Sequence, residues 1–240
     1  MNKLNNKTII SGRIKVITGL HIGGSSSAME IGGLDQNNII KTANGIPYIP
    51  GSSLKGKLRN MLAKVTGSTK VGDNAENDFG TTKLFGVGAN DTEGYSEAYL
   101  RVRDAYLVKK SVENFDMDFE YSEVKYENTI DRIKGSANPR PLERVPSGAE
   151  FEFEMIYDCF DNESDKDDLK KISFAMQLLE QDSLGGSGSR GSGKIRFFDV
   201  KLKNVEIDID KSEINQCDIV DEKDFDCFKI NKDELELIEV

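Results

Sequence analysis

The chain has 240 residues, 37% of them hydrophobic and 31% charged, with a net charge of −10. That composition describes a soluble globular protein on the polar side, with room for one large domain or two small ones. No apolar run approaches the ~20 residues of a membrane span, and three unpaired-looking cysteines with a single histidine exclude a disulfide framework and a Cys/His zinc cluster.

The opening residues, MNKLNNKTIISG, lack the apolar core of a signal peptide, so a reducing cytoplasm is the expected address. TIISGRIKVI (8–17) is β-branched and reads as a strand. A glycine-rich loop, GLHIGGSSSAMEIGGLD (19–35), follows, then a short strand pair around NNII and IPYI. PGSSLKGKLRNMLAKV (50–65) predicts a helix. Ser52 or Ser53 is placed to cap it, and Leu54, Leu58, Met61, Leu62 and Val65 repeat at the spacing of a buried face. Residues 66–97 read as a polar excursion with a short ordered piece near TTKLFG, and 98–108 as a strand. In GAEFEFEMIY (148–157), Phe151, Phe153 and Met155 alternate with Glu150, Glu152 and Glu154, which predicts a strand with one dry face. Residues 167–182 predict a second helix with Leu169, Ile172, Ala175, Met176 and Leu179 inward and an acidic first turn suited to the helix dipole. A long last strand over 194–209 changes phase at Phe197–Phe198, where a bulge is expected. The order β-α-β-β-α-β predicts an α+β, ferredoxin-like (RRM-like) domain over 1–209, with an acidic tail over 210–240. RRM domains place RNA on such a sheet.

Charge is unevenly distributed. Residues 1–71 carry ten Lys/Arg and two Asp/Glu, residues 185–204 five and one, and residues 205–240 four and thirteen. Local fields decide what binds where, so the two basic, glycine-bearing segments keep a polyanion in view despite the negative total.

LGGSGSRGSGKIRF (184–197) contains G-x-x-x-x-G-K from Gly188 to Lys194. A nucleotide-hydrolysing P-loop would continue with Ser or Thr for the magnesium ion and would lead from a strand into a helix. Here Ile195 follows, and the loop leads from a helix into a strand. The stretch YSEVKYENTIDRIKGSANPRPLERVPSG (121–148) is too long for an ordinary connection. It carries Lys125, Arg132, Lys134, Arg140 and Arg144 and is stiffened by Pro139, Pro141 and Pro146. Pattern alone leaves a projecting hairpin that grips a nucleic-acid backbone and a solvated surface flap equally open.

IPGSSLKGKLRNMLAK, TIDR with GSANPRPLERV, LGGSGSRGSGKI and GLHIGG, in that family's order along 7–204, closely resemble the Csm-type RAMP superfamily, the repeating backbone subunits of type III-A CRISPR effector complexes. The resemblance implies an RRM-like palm with an inserted thumb hairpin, here 121–146, and a glycine-rich RNA-binding loop, here 184–194. It implies copies stacked in a filament along a CRISPR RNA together with other Csm-complex subunits, and a single-stranded target RNA cut at regular intervals beside displaced nucleotides.

For this chain the implied RNA-binding residues are His21, Gly23, Gly24, Ser52, Ser53, Lys55, Lys57, Arg59, Arg132, Asn138, Arg140, Arg144, Gly186, Ser187, Gly188, Ser189, Arg190 and Lys194. Glycines let main-chain amides approach phosphates, and cations hold a backbone without reading bases. The implied cutting residue is Asp35, which on its own reads as a turn residue. With the resemblance, its carboxylate holds a divalent metal, Mg2+ or Mn2+, or helps remove the proton of a 2′-hydroxyl placed in line. Two other readings remain: a non-catalytic RNA-binding scaffold, and a guide-precursor-processing RAMP ribonuclease, which would rest on His21.

Overall fold

The computed structural model describes residues 3–24, 38–67, 81–86, 97–160, 162–208 and 211–218. It is a mixed α/β fold built on an antiparallel sheet. Twelve strands and α-helices occur among these residues: β1 (Asn6–Val16), β2 (Tyr48–Ile49), α1 (Gly51–Thr66), α2 (Thr81–Phe85), β3 (Leu100–Val102), β4 (Ala105–Leu107), β5 (Glu123–Ile130), β6 (Ala137–Arg144), β7 (Glu150–Cys159), α3 (Asn162–Glu180), β8 (Ile195–Asp208) and β9 (Glu213–Asp218). The main sheet runs β2-β4-β7-β1-β8-β9, with β3 also paired to β7, and β5 and β6 form a separate two-stranded ribbon.

The central pair explains the order. β1 lies antiparallel between β7 and β8, with Ile10 opposite Met155 on one side and Leu202 on the other. Alternation then sends Ile10, Ile14 and Val16 of β1 and Phe151, Phe153 and Met155 of β7 into the core, the β7 set as its sequence pattern predicts. Each such aromatic or aliphatic side chain contributes about 1.5–3 kcal/mol on leaving water. α1 contacts α3 and β3, and α3 contacts β8, so the two helices lie side by side against the sheet. Leu54, Leu58, Met61 and Leu62 face inward from α1, and Leu169, Ile172, Ala175, Met176 and Leu179 from α3.

The departures from expectation have identifiable causes. Val65 is 54% exposed, because it falls in the last turn of α1, beyond the packed face. Neither Ser52 nor Ser53 caps α1; instead Asp104 Oδ1 accepts the Gly51 N–H at 2.7 Å, from a residue 53 positions away. That demand splits the expected strand 98–108 into β3 and β4 around Arg103–Asp104. The bulge in β8 lies at Asp199–Val200, two residues beyond the phase change: Ser11 faces Lys201 while Arg13 faces Phe198, and Asp199 takes a left-handed φ of 50°.

α3 starts at Asn162, so Asp168 is not a first-turn residue. It is buried, and the Tyr157 hydroxyl lies between Asp165 Oδ1 (2.9 Å) and Asp168 Oδ2 (2.8 Å). Burial, then those carboxylates, push the Tyr157 hydroxyl far above the usual tyrosine range. The excursion 66–97 contributes α2 to the core through Leu84 and Phe85; residues 68–80 and 87–96 lie outside the described residues. The acidic segment after 209 is not all tail, since Glu213–Asp218 adds β9 to the edge of β8.

Candidate nucleic-acid interface

Three segments far apart in sequence meet at one end of β1. The loop after β1 is held to the glycine-rich loop by main-chain bonds: Ile17 N–H to Lys194 O (2.8 Å), Gly193 N–H to Gly19 O (3.0 Å) and Gly186 N–H to His21 O (2.7 Å). The Lys194 N–H also donates to Thr18 Oγ1 at 3.0 Å. The same loop pairs with the base of the β5–β6 hairpin, where Leu20 and Val145 exchange both main-chain bonds at 2.9 and 2.8 Å. The His21 ring closes the junction. Its Nδ1 lies 2.7 Å from Glu143 O, so Nδ1 carries the proton, and its ring edge lies against Gly186.

Glycine is required in this loop by space and by conformation. Gly185 and Gly193 have φ of 76° and 84°. A Cβ on Gly185 would overlap His21 O, and one on Gly193 would overlap Leu184 O. Between them, Gly188 to Arg190 form a single 3-10 turn, with Ser187 in the left-handed region at φ 60°. Ser189 and Lys194 are exposed, and Ser187 and Gly188 are half-buried. The main chain is thus held close to its neighbours while the loop's outer side faces solvent.

The hairpin is the opposite kind of element. From Asn128 to Arg140 every residue is exposed, including Arg132, Asn138 and Arg140. Ile130 and Ile133, 65% and 96% exposed, sit near its tip, and Tyr126 is 69% exposed. The tip turn is fixed by Asp131 Oδ1, which accepts the N–H groups of Ile133 and Lys134 at 2.9 and 3.1 Å. Asn128 faces Pro139 and Tyr126 faces Pro141, so the prolines stiffen β6 in a ribbon that belongs to no wider sheet. Arg144 is turned inward, with Nε 2.6 Å from Glu123 Oε1 and its side chain filling the space a Cβ on Gly19 would take.

α1 joins from below. Lys57 Nζ and Lys64 Nζ each lie 3.2 Å from Asp182 Oδ2, just before the glycine-rich loop. Burial, then the charges of Arg59 and Arg101, lower the Lys55 ammonium from its ordinary range. Arg101 is itself paired with Asp158 and Glu97. Ser52 is exposed and Ser53 half-buried in the first turn. Gly23 bridges to Ile39, and Gly24 N–H donates to Asn38 O at 3.0 Å, which closes the neck of the segment 25–37. Asp35 lies in that segment, outside the described residues. Among the described residues no group of three or more His, Cys, Asp or Glu side chains could hold a metal ion.

Two positions at this junction went unread in the sequence. Glu143 is 3% exposed and accepts from Ser122 Oγ (2.6 Å), Ile39 N–H (3.0 Å) and Lys41 Nζ (2.9 Å), tying the hairpin base to the neck of 25–37. No local signal marks it, because the partners of its carboxylate lie up to 104 residues away. Glu127, on β5, contacts Arg190 and Lys125; an acid inside a basic hairpin was its only trace.

The model of the RAMP superfamily matches residues 13–196, and the chain belongs to that superfamily. Within it, the chain is 44% identical over 207 residues to the CRISPR system Cms endoribonuclease Csm3 of Methanocaldococcus jannaschii, covering 83% of this chain and 82% of that protein. It is 40% identical to the Csm3 of Enterococcus italicus, over 87% of this chain and 98% of the relative, and 41% identical to that of Streptococcus thermophilus, over 88% and 96%. Its structure resembles the crystal structure of a Csm3–Csm4 subcomplex of the type III-A CRISPR-Cas interference complex, with 31% identity and a TM-score of 0.61, covering 95% of this chain and 98% of that one. A type III-B Cmr-beta structure shares the fold at 20% identity, with a TM-score of 0.56 over 82% of this chain and 61% of that one.

Proposed function

We propose that this chain is the repeating backbone subunit of a type III-A CRISPR interference complex in the cytoplasm, an endoribonuclease that binds CRISPR RNA along a filament and cuts complementary target RNA at regular intervals. Its partners are CRISPR RNA, single-stranded target RNA, further copies of itself and other Csm-complex subunits. Relatives named as Csm3 endoribonucleases support the activity. The observation that carries the reading is the convergence of the 17–24 loop, the 184–194 loop and the hairpin base on one another. The solvent-facing outer side of the glycine-rich loop, with the cations beside it, suits a guide of any sequence.

We read the domain over 1–209 as ferredoxin-like. The support is the strand order: β3 and β4, then β7, β1 and β8, with α1 and α3 as the two crossovers. In this reading the exposed hairpin displaces target nucleotides, with Ile130 and Ile133 presented at its tip. Arg132, Asn138 and Arg140 face the duplex, and Lys55, Arg59, Arg190 and Lys194 meet guide phosphates. Asp35 is the cutting residue, placed beside a 2′-hydroxyl driven into line by nucleotide displacement. A divalent cation, Mg2+ or Mn2+, would stabilise charge on the phosphate when bound there. His21 is a packing residue here: its Nδ1 is committed to Glu143 O, which weighs against the precursor-processing reading.

The test is Asp35→Ala in an assembled complex carrying a matching guide. Target RNA should remain bound and uncut, and EDTA should stop cutting by the parent complex. Continued cutting at the regular sites by the variant would make this subunit a scaffold.

A further inference from the structure

The cations at the junction of loop and hairpin already hold an anion. Glu127 Oε2 lies 2.7 Å from Arg190 Nε, and Oε1 lies 3.1 Å from Lys125 Nζ. Lys125 Nζ also donates to Arg190 O at 2.8 Å, and Arg190 Nη2 donates to Ser187 Oγ at 2.8 Å. One carboxylate is therefore gripped by a guanidinium and an ammonium, the donor set that a phosphodiester oxygen prefers. The Arg190 side chain is 60% exposed while that of Glu127 is 21% exposed, so the cation is reachable from solvent with the acid behind it. The Lys125 ammonium beside it lowers the Glu127 carboxyl, against burial and with help from Arg190, so the acid is ionised at neutral pH.

We propose that Lys125, Ser187 and Arg190 form a seat for one phosphodiester of single-stranded RNA, and that Glu127 of the hairpin fills it until RNA displaces it. This deepens the RNA-binding reading above and rests on it. An RNA that docks there must break the Glu127–Arg190 ion pair that joins hairpin to loop, so phosphate binding loosens β5 from the loop. Glu127 also cancels one of two positive charges, which weakens attraction for RNA making few other contacts. The glycine-rich loop is thereby screened against stray RNA in the uncomplexed protein, while a guide gripped along its length has enough other contacts to displace the acid.

The experiment uses the full chain and a labelled oligouridylate, titrated over a potassium chloride series. Glu127→Gln keeps the shape and an acceptor oxygen but removes the charge. It should bind several-fold more tightly at low salt, with a log–log slope steeper by about 0.7 for the phosphate gained. Adding Arg190→Ala to that variant should remove the gain, and Lys125→Ala should reduce it. Equal or weaker binding by Glu127→Gln, against a salt-dependent parent, would overturn the seat and leave the RNA-binding reading intact. A gain that survives loss of Arg190 would also overturn it. A parent whose binding is flat with salt would remove the RNA-binding reading, and the seat with it.

Discussion

The glycine-rich loop 184–194 and the hairpin 123–144 are neighbours supported by different means. The loop is held by main-chain hydrogen bonds to residues 17–21 at spacings that exclude a Cβ at Gly185 and Gly193. The hairpin is held at its base, by the Leu20–Val145 pair, the buried carboxylate of Glu143 and the Arg144–Glu123 pair, while its outer half stands in solvent. These main-chain bonds to the segment that leaves β1 fix the course of the loop along much of its length. The ribbon is tied near its base, by the Leu20–Val145 main-chain pair and by side chains, and projects beyond it. The function proposed above, gripping any guide and wedging apart a duplex, calls for a held loop and a projecting hairpin side by side.

The sharpest way to break the comparison is Gly193→Ala. The left-handed φ and the overlap with Leu184 O leave the new side chain no position without main-chain movement. The variant should lose about 3 kcal/mol or more, read from its denaturant midpoint, and RNA binding should fall with it. Glu143→Ala comes next. It removes one partner of Lys41 and leaves the Ile39 N–H without its acceptor, for a loss of about 2–3 kcal/mol. Thermal unfolding measures the loss, and faster amide exchange at Ile39 locates it. Glu143→Gln should recover part of it by keeping an acceptor for Ile39.

The smallest effect separates the two elements electrostatically. The folded-state carboxyl of Glu127 lies below its ordinary range. Its contribution is therefore complete above the unfolded value, about pH 4.3, and is lost as pH falls through the lower folded value. The stability difference between the parent and Glu127→Gln should stay constant from pH 7 to about pH 5. It should shrink only below about pH 4.3, and stay under about 1 kcal/mol throughout, because Arg190 is largely exposed. A difference that disappears near pH 6 would show that Glu127 is not paired in this way.

Both helices and the alternation in β7 could be read from spacing, since each is written within a window of ten to twenty residues; the hairpin could not, since its pattern fitted a solvated flap equally well. The cap of α1 could not: two serines stand at the helix start, yet Asp104 supplies the bond, because the packing of β3 brings it there. The same holds for Asp168, whose carboxylate reads as helix-end charge and is in fact the partner of a buried tyrosine. Glycines and basic residues of the interface were visible as composition. Their acid partners Glu127, Glu143 and Asp182 were not, since a carboxylate in sequence carries no mark of which cation it will meet.

By itself the sequence determined the elements, the apolar faces and the supply of glycine and cations along two segments, because these follow from local periodicity and backbone freedom. The tertiary structure alone decided that residues 17–24, 143–145 and 184–194 share one junction, and which charges there are already matched. Antiparallel pairing of β1 with both β7 and β8 brings distant loops to the same end of the sheet, and no property of any one segment encodes that meeting.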